Sequence, residues 1–390
     1  MKLHKTITKE TISKIPVTVG LLIGVSICCS VAIWSNYTMG LLLASIPIML
    51  ICGFYIFERP YITFFILFIL NYFAMGVNRY ISIPVGIVVD GVFVFLVASL
   101  LMKNCYKKIE WSRAINVMTW TSLVWLLYCL LQLTNNASEA TPIDWLQGGR
   151  AMAIYPLVVV VVVSVLLKKY KDIQWFLIAW AAFTILAALK GYWQKNQGFD
   201  SAELAWLFSP GGGGSTHLIS TGIRYFSFFT DAGNYGASMG FAMVVFLISS
   251  MYVPNKWIKG FFLIAGLAGG YGMMISGTRG ALAAPFAGFI LFVFISKNWK
   301  IILGGTFILL LAFSFFKFTT IGDSNNIIRR MRTGFSSNDA SFQVRINNQN
   351  KMKSTMKELP FGLGIGTSPS TIGINNKYNI IAVTPPDSWL

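Results

Sequence analysis

Ser276-Gly277-Thr278-Arg279-Gly280-Ala281 sets a lone arginine between two apolar runs, 261–275 and 282–295. Gly277 and Gly280 free the backbone at the break, and Pro285 follows shortly after. The acids nearest in sequence, Asp231 and Asp323, are both more than a helix length away. A charge set beside hydrocarbon costs roughly 2.5–3.5 kcal/mol at mid-bilayer and less toward the surface. Alone, the stretch reads as a short polar hairpin whose arginine snorkels to the headgroups. Other arginines on the same side of the membrane favour a second reading, in which the arginine serves a ligand.

The runs flanking this break are two of many. Of 390 residues, 55% are hydrophobic and 12% charged, and the apolar runs repeatedly reach the ~20 residues that cross hydrocarbon. The pattern predicts an all-α polytopic membrane protein with about eleven spans, near 17–34, 38–57, 61–77, 84–102, 116–133, 152–167, 173–190, 232–252, 257–275, 280–295 and 300–317. Helix is the expected form because lipid offers backbone groups no other partner. Lys2, Lys5, Lys9 and Lys14 precede the first span, which reads as a signal anchor rather than a cleaved leader. Residues 1–317 are thus expected to form the transmembrane domain, and 318–390 a long extracytoplasmic loop.

Loop charge sets the expected orientation. With the N-terminus inside, sixteen of the thirty-one basic residues fall on the inner side. Six fall in the short and medium outer loops: Arg79, Arg150, Lys190, Lys195, Arg224 and Arg279. That asymmetry predicts an inside N-terminus and an outside tail. The inner side is rich in lysine, the outer loops in arginine, which grips phosphate in a bidentate fork where lysine acts as a point charge. The net charge of +17 suits anionic lipid at the inner face, and no basic patch interleaved with aromatics points to nucleic acid. The five cysteines fall in spans or an inner loop, and only His4 and His217 are histidines, so no cluster has metal-ligand spacing and no metal site is expected.

Along the chain, Asp90 sits seven residues into the fourth span, either as a functional carboxylate or as a packing residue beside Gly91. Gly148-Gly149-Arg150 stands just before the sixth span, as an interfacial anchor or an anion contact. The outer loop at 191–231 holds four successive glycines, 211–214, then His217, then Arg224 in an aromatic-rich segment ending at Asp231. Asp231 and Asn234 open the eighth span, where either can cap the helix. Within the tail, Phe342, Ile346, Met352, Met356 and Leu359 recur at helical spacing with Arg345, Lys351, Lys353 and Lys357 among them. This predicts an amphipathic helix at about 338–359 lying on the membrane. Pro360 stops it, and Gly362, Gly364 and Gly366 follow, as a plain turn or as backbone amides near an anion. The chain closes on Pro386-Asp387-Ser388-Trp389-Leu390 as an apolar run begins, so further spans are expected beyond it.

Taken together, Arg224 with Asp231 and Asn234, then Ser276-Gly277-Thr278-Arg279-Gly280, then a long outer loop with Arg345 and Pro360-Phe361-Gly362-Leu363-Gly364, resemble the O-antigen ligase and polymerase superfamily of bacterial envelope glycosyltransferases. The resemblance covers about 215–366. It implies a helical bundle of the C type in the bacterial inner membrane and no metal or nucleotide cofactor. It also implies transfer of a glycan from a polyprenyl diphosphate to an acceptor hydroxyl, glycan or lipid-anchored, at the outer face. By the same resemblance Arg224, Arg279 and Arg345 hold the diphosphate, with Asp231, Asn234, Gly362 and Gly364 in support; the pattern of loops and spans adds Arg150 as a further candidate binding residue and Asp90 as a further support. Where related sequences place a histidine, this chain has Asp387, so Asp387 and His217 are the candidate bases. Two other classes remain open: a transporter or flippase of a polysaccharide precursor or small anion, coupled through Asp90, and an assembly subunit that binds the lipid-linked glycan without turnover.

Overall fold

The computed structural model describes residues 20, 22, 24–26, 29–30, 53–81, 85–135, 141–209, 213–219, 222–335, 340–359, 361–362 and 364–365. The first two expected spans, and Asp387, lie wholly or mostly outside these residues. Among the described residues eight helices are long and apolar enough to cross a membrane. In chain order the helices are α1 (Pro60–Tyr80), α2 (Val85–Tyr106), α3 (Val117–Leu131), α4 (Pro142–Gly149), α5 (Tyr155–Leu166), α6 (Tyr170–Gln197), α7 (Ser201–Phe208) and α8 (Gly214–His217). A two-stranded antiparallel ribbon follows, β1 (Leu218–Ile219) with β2 (Gly222–Ile223). The last helices are α9 (Ala232–Tyr252), α10 (Lys256–Ile275), α11 (Ala283–Ile295), α12 (Trp299–Phe318), α13 (Asn326–Thr333) and α14 (Ala340–Glu358).

Short polar residues start many of these helices by accepting from backbone amides that have no helical partner. Asp231 accepts from Asn234 N, Asn255 from Trp257 N, Asn298 from Lys300 N and Asn325 from Ile327 N. Thr141 with Asp144, and Asp200 with Glu203, form reciprocal capping boxes.

The chain divides into two compact units, residues 1–67 with 90–109, and residues 68–89 with 110–390. In the first, Ser99 Oγ donates to the Phe57 carbonyl, and the Phe57 and Phe95 rings meet edge-on at 5.1 Å. Asp90 belongs to this unit, half-buried on α2.

The second unit is centred on α6, α9 and α10. Its core joins Ala187, Tyr235, Met239, Met273, Ile275, Leu282 and Met331, and a neighbouring layer joins Ala181, Ala242, Phe246, Phe262 and Ala265. Glycines let these helices touch. A Cβ at Gly269 would stand 2.8 Å from the Met239 carbonyl, and one at Gly236 would stand 2.3 Å from Ser276 Oγ. Membrane helices lack a hydrophobic drive toward one another, so close backbone approach across small residues is how they gain contact energy.

Two span boundaries differ most from those expected. Helix begins ten residues before the expected start of the sixth span, at Pro142, and runs to Leu166 through a π-helical segment at Arg150–Ile154. Arg150 therefore sits inside a helix rather than in a loop; the Thr141 capping box starts the helix early enough to enclose it. The seventh span continues to Gln197, seven residues past its expected end, because Lys190, Gln194 and Lys195 are helix formers whose polar ends find partners. The expected tail helix is present as α14, and α13 precedes it, unanticipated as a separate element.

Candidate functional site

The site is built on the break between α10 and α11. α10 ends at Ile275 with Ser276 as its C-cap, and Gly277 next takes a left-handed conformation at φ +60° that stops the helix. Ser276, fully buried, donates to the Met273 carbonyl at 2.7 Å and accepts from Thr278 N at 3.2 Å. A 3₁₀ turn, Arg279–Leu282, then leads into α11. Gly236 and Gly240, one turn apart on α9, face this break: Cβ atoms there would meet Ser276 and Thr278 in one case, and the Ala281 carbonyl in the other.

The loop that carries Arg224 is fixed from several directions. Arg79, at the end of α1, donates to the carbonyls of Ser227 at 3.1 Å and Thr230 at 3.0 Å, and also to that of Phe229. Its guanidinium lies 4.4 Å from the Trp206 ring centre and 4.3 Å from that of Phe226, a cation–π contact with each of two rings that meet edge to face. Gln194 on α6 accepts from the amides of Phe226 and Ser227 while donating to Glu203 at 2.8 Å. Glu203, 1% exposed, pairs with Lys190 at 3.0 Å, and Lys190 also pairs with Asp200. Burial works to raise the Asp200 carboxyl, but hydrogen bonds from Tyr80, the Glu203 amide and Lys190 outweigh it and hold the group below the usual range. Ser227, at φ +50°, is held in its strained conformation by its hydroxyl on the Ala187 carbonyl at 2.8 Å.

On this scaffold three arginines from separate segments converge. Arg224 donates to Thr278 Oγ1 at 2.9 Å and to the Thr216 carbonyl at 3.0 Å, and Thr278 in turn donates to the Ala232 carbonyl at 2.7 Å. Arg279 follows Thr278 directly and donates to Thr333 Oγ1 at 3.0 Å on α13. Arg330, also on α13, donates through Nε to the Gly277 carbonyl at 2.6 Å. A Cβ on Gly277 would stand 3.2 Å from Arg330 Nε and 3.4 Å from Arg224 Cγ, so this glycine separates two guanidinium side chains. Burial lowers the Arg224 pKa, the Arg279 charge lowers it further, and Asp231 opposes both. Arg224 Nε is buried without a hydrogen-bond partner. Positive charges held this close are a binding arrangement for a multiply charged anion, which relieves their repulsion.

The other candidate residues fall as follows. His217 is buried against Trp206 and Phe226, which also touch each other. Its Nδ1 is 2.7 Å from the Gly213 carbonyl, to which it must donate, and its Nε2 accepts from Ala232 N at 3.0 Å. Burial lowers its pKa, so the ring is neutral with both nitrogens engaged, and it ties the ribbon to the start of α9. Asp231 caps α9, and Asn234 donates to Asp231 and Thr230. Gly362 and Gly364 have φ of +71° and +89°, and Asn135 donates to the Gly362 carbonyl at 3.0 Å. Ile365 beside them packs on Cys129, Trp145 and Ala153, the last within the π-helical segment of Arg150. The structure thus brings Arg224 and Arg279 together, and sets the Gly362–Gly364 turn by the Arg150 helix. Arg345 is exposed on α14. Among the described residues no group of three or more His, Cys, Asp or Glu side chains is placed to hold a metal ion.

Sequence reading missed Arg330, Arg79 and the Gln194–Glu203 strut. Two signals were present: Gly236 and Gly240 at four-residue spacing, and the Ile-Ile-Arg-Arg-Met-Arg run of α13, whose Met331 is fully buried.

Fold and site together define a polytopic helical membrane protein with an arginine cluster at an interhelical break. Residues 260–388, which contain the break, α13 and α14, match the family model described as O-antigen ligase. That match supports the O-antigen ligase superfamily for this chain and, in general terms, a membrane glycosyltransferase of the ligase or polymerase kind. No match is found among curated proteins or among solved structures.

Proposed function

We propose that this protein moves a glycan from a polyprenyl diphosphate to an acceptor hydroxyl at the outer face of the bacterial inner membrane, as a ligase or a polymerase. The observation that carries the reading is the meeting of Arg224, Arg279 and Arg330 around Gly277 and Thr278. The acceptor oxygen attacks the anomeric carbon, and the bond from that carbon to the diphosphate oxygen breaks. The electron pair leaves with the polyprenyl diphosphate, whose negative charge grows as the bond opens. Fixed guanidinium groups favour that charge most in the transition state. Hydrogen bonds to charged groups are worth about 1.5–3 kcal/mol each, so the loss of one lowers the rate by roughly 10–100-fold. The hydroxyl proton passes to a carboxylate, and Asp387 is assigned this role, with a contribution of about 10²–10⁴. His217 is assigned to the loop instead, because neither ring nitrogen has a lone pair or proton to spare. The donor arrives activated, so no step is assigned to a metal.

The test is transfer from a polyprenyl-diphosphate glycan by the purified protein in liposomes. Arg224→Ala, Arg279→Ala and Arg330→Ala should each lose at least about tenfold, with lysine restoring part of the rate at most. Full turnover in all three alanine variants, at wild-type protein levels, removes the mechanism. Arg345→Ala and Arg150→Ala, assayed alongside, establish whether those side chains also contact the donor. In cells, loss of the longer rungs of the glycan ladder marks a polymerase, and full-length chains left on the carrier mark a ligase.

A further inference from the structure

Residues 224–231, between the ribbon and α9, lie outside helix and strand, so regular structure does not hold Arg224 in place. Its amide donates to the His217 carbonyl at 2.9 Å, which fixes the backbone on the ribbon side. Its guanidinium meets Thr278 and Thr216 but leaves Nε buried and unbonded, so its aim also depends on the backbone that follows. That backbone rests on Gln194. Gln194 Oε1 accepts from Ser227 N at 2.9 Å and from Phe226 N at 3.3 Å. Gln194, Phe226 and Ser227 are all buried, so these amides have no exchange with bulk water to fall back on. The direction of the Gln194 amide is forced. Turned over, its NH₂ would face two N–H donors and its oxygen would face the Glu203 carboxylate. Glu203 accepts from Gln194 Nε2 at 2.8 Å, and is itself held by Lys190 at 3.0 Å and by Asp200 N at 3.1 Å.

We propose that Gln194 and Glu203 are positioning residues for transfer, acting through the Phe226 and Ser227 amides to aim Arg224 at the cluster; the inference rests on the diphosphate reading of that cluster. Two observations separate this role from general support of the fold. The helices α6, α9 and α10 are packed by apolar layers around Tyr235 and Phe246, whereas both bonds to the Gln194 oxygen come from the Arg224 loop. Loss of the strut therefore loosens the loop and leaves the bundle standing. Ser227 shows how closely the loop is specified: its amide meets Gln194, its hydroxyl the Ala187 carbonyl and its own carbonyl Arg79, at a strained φ of +50°. A guanidinium displaced by about 1 Å can cost up to about 100-fold in rate, and the cost falls on turnover when the group serves charge that grows in the transition state.

The experiment compares wild type, Gln194→Glu and the reciprocal double variant Gln194→Glu/Glu203→Gln, as full chains in liposomes. Gln194→Glu keeps an oxygen for the two amides but removes the donor and sets a second carboxylate against Glu203. It should lose about tenfold or more in kcat on a polyprenyl-diphosphate glycan, with KM little changed. The double variant exchanges the two roles: the carboxylate at 194 accepts from both loop amides and from the new amide at 203. Lys190, one turn away on α6, keeps an anion beside it. Most of the wild-type rate should return, a rescue that loss of packing would not give. A second measurement needs no turnover: hydrogen exchange followed by mass spectrometry on peptides covering 224–229. Exchange there should be slow in wild type, at least about tenfold faster in Gln194→Glu, and slow again in the double variant. Should Gln194→Glu fail to fold, wild-type exchange and the double variant still decide. Fast wild-type exchange in this segment overturns the strut, as does a double variant that stays inactive while folded. An unchanged kcat in folded Gln194→Glu overturns the positioning role. A wild type that shows the expected exchange but transfers no glycan sinks the transferase reading and leaves the strut intact.

Discussion

Gly277→Ala tests the cluster with a single methyl group. Two effects add. The backbone at this position is left-handed, at φ +60°, where a Cβ costs about 1–2 kcal/mol. The methyl would also meet Arg330 Nε at 3.2 Å and Arg330 Cδ at 3.3 Å, tighter than ordinary contact, so Arg330 must give by a few tenths of an ångström, whereas Arg224 Cγ at 3.4 Å is an ordinary contact. The Arg330 bond to the Gly277 carbonyl, 2.6 Å long, is the contact most exposed to that shift, and a charged hydrogen bond is worth about 1.5–3 kcal/mol. The expected outcome is a melting temperature lowered in keeping with about 1–2 kcal/mol, and a transfer rate lowered by roughly 10–100-fold. Gly280→Ala is the matched control in the same motif. A Cβ there meets nothing within 4 Å and the backbone is not left-handed, so both stability and rate should stay near wild type. Donor turnover in liposomes and thermal unfolding in detergent read the two quantities separately. If Gly277→Ala matches wild type in both, or Gly280→Ala is equally damaging, the account of how the arginines are held is wrong.

Other outcomes follow from the same contacts. Arg79→Ala removes the donor to three carbonyls of the 227–230 segment; Thr230 is exposed and can turn to water, whereas the part-buried Ser227 and Phe229 acceptors left unmet cost up to about 1–3 kcal/mol each. Protease cleavage within that loop should become faster, and Arg79→Lys should rescue little, since an ammonium cannot reproduce the fork. Gly236→Ala drives a methyl to 2.3 Å from Ser276 Oγ, and overpacking of this kind costs about 1–3 kcal/mol. Its melting temperature should fall although alanine is the better helix former, and an unchanged value would show that α9 does not need to touch the break. His217 has a folded pKa below its ordinary value, so its neutral form stabilises the fold above about pH 6.5, and that contribution is lost as pH falls through the folded pKa. Unfolding curves across that range should show wild type losing stability on acidification, and His217→Gln losing less.

Composition and run length indicated the regions of the described apolar helices, though not every end, because lipid leaves backbone groups only the helix to satisfy them and the choice is made locally. The cap at Asp231 was equally local, set by a short polar side chain a few residues from the amide it meets. The special character of Ser276-Gly277-Thr278-Arg279-Gly280 was also legible, since a charge between two apolar runs stands out whatever the fold. What sequence left undecided was which arginine joins which. Arg330 stands at Gly277 and Arg345 is exposed on another helix, a choice made by Met331 burying itself in the core and turning α13 across the break. The two glycines of the motif looked alike in sequence, yet only Gly277 has neighbours, because contact belongs to the packed helices around it. The same holds for Arg79, an ordinary helix-end arginine until the distant 227–230 carbonyls are folded against it. Local chemistry chose the helices, whereas side chains more than a hundred residues apart met only through the close packing of α6, α9 and α10.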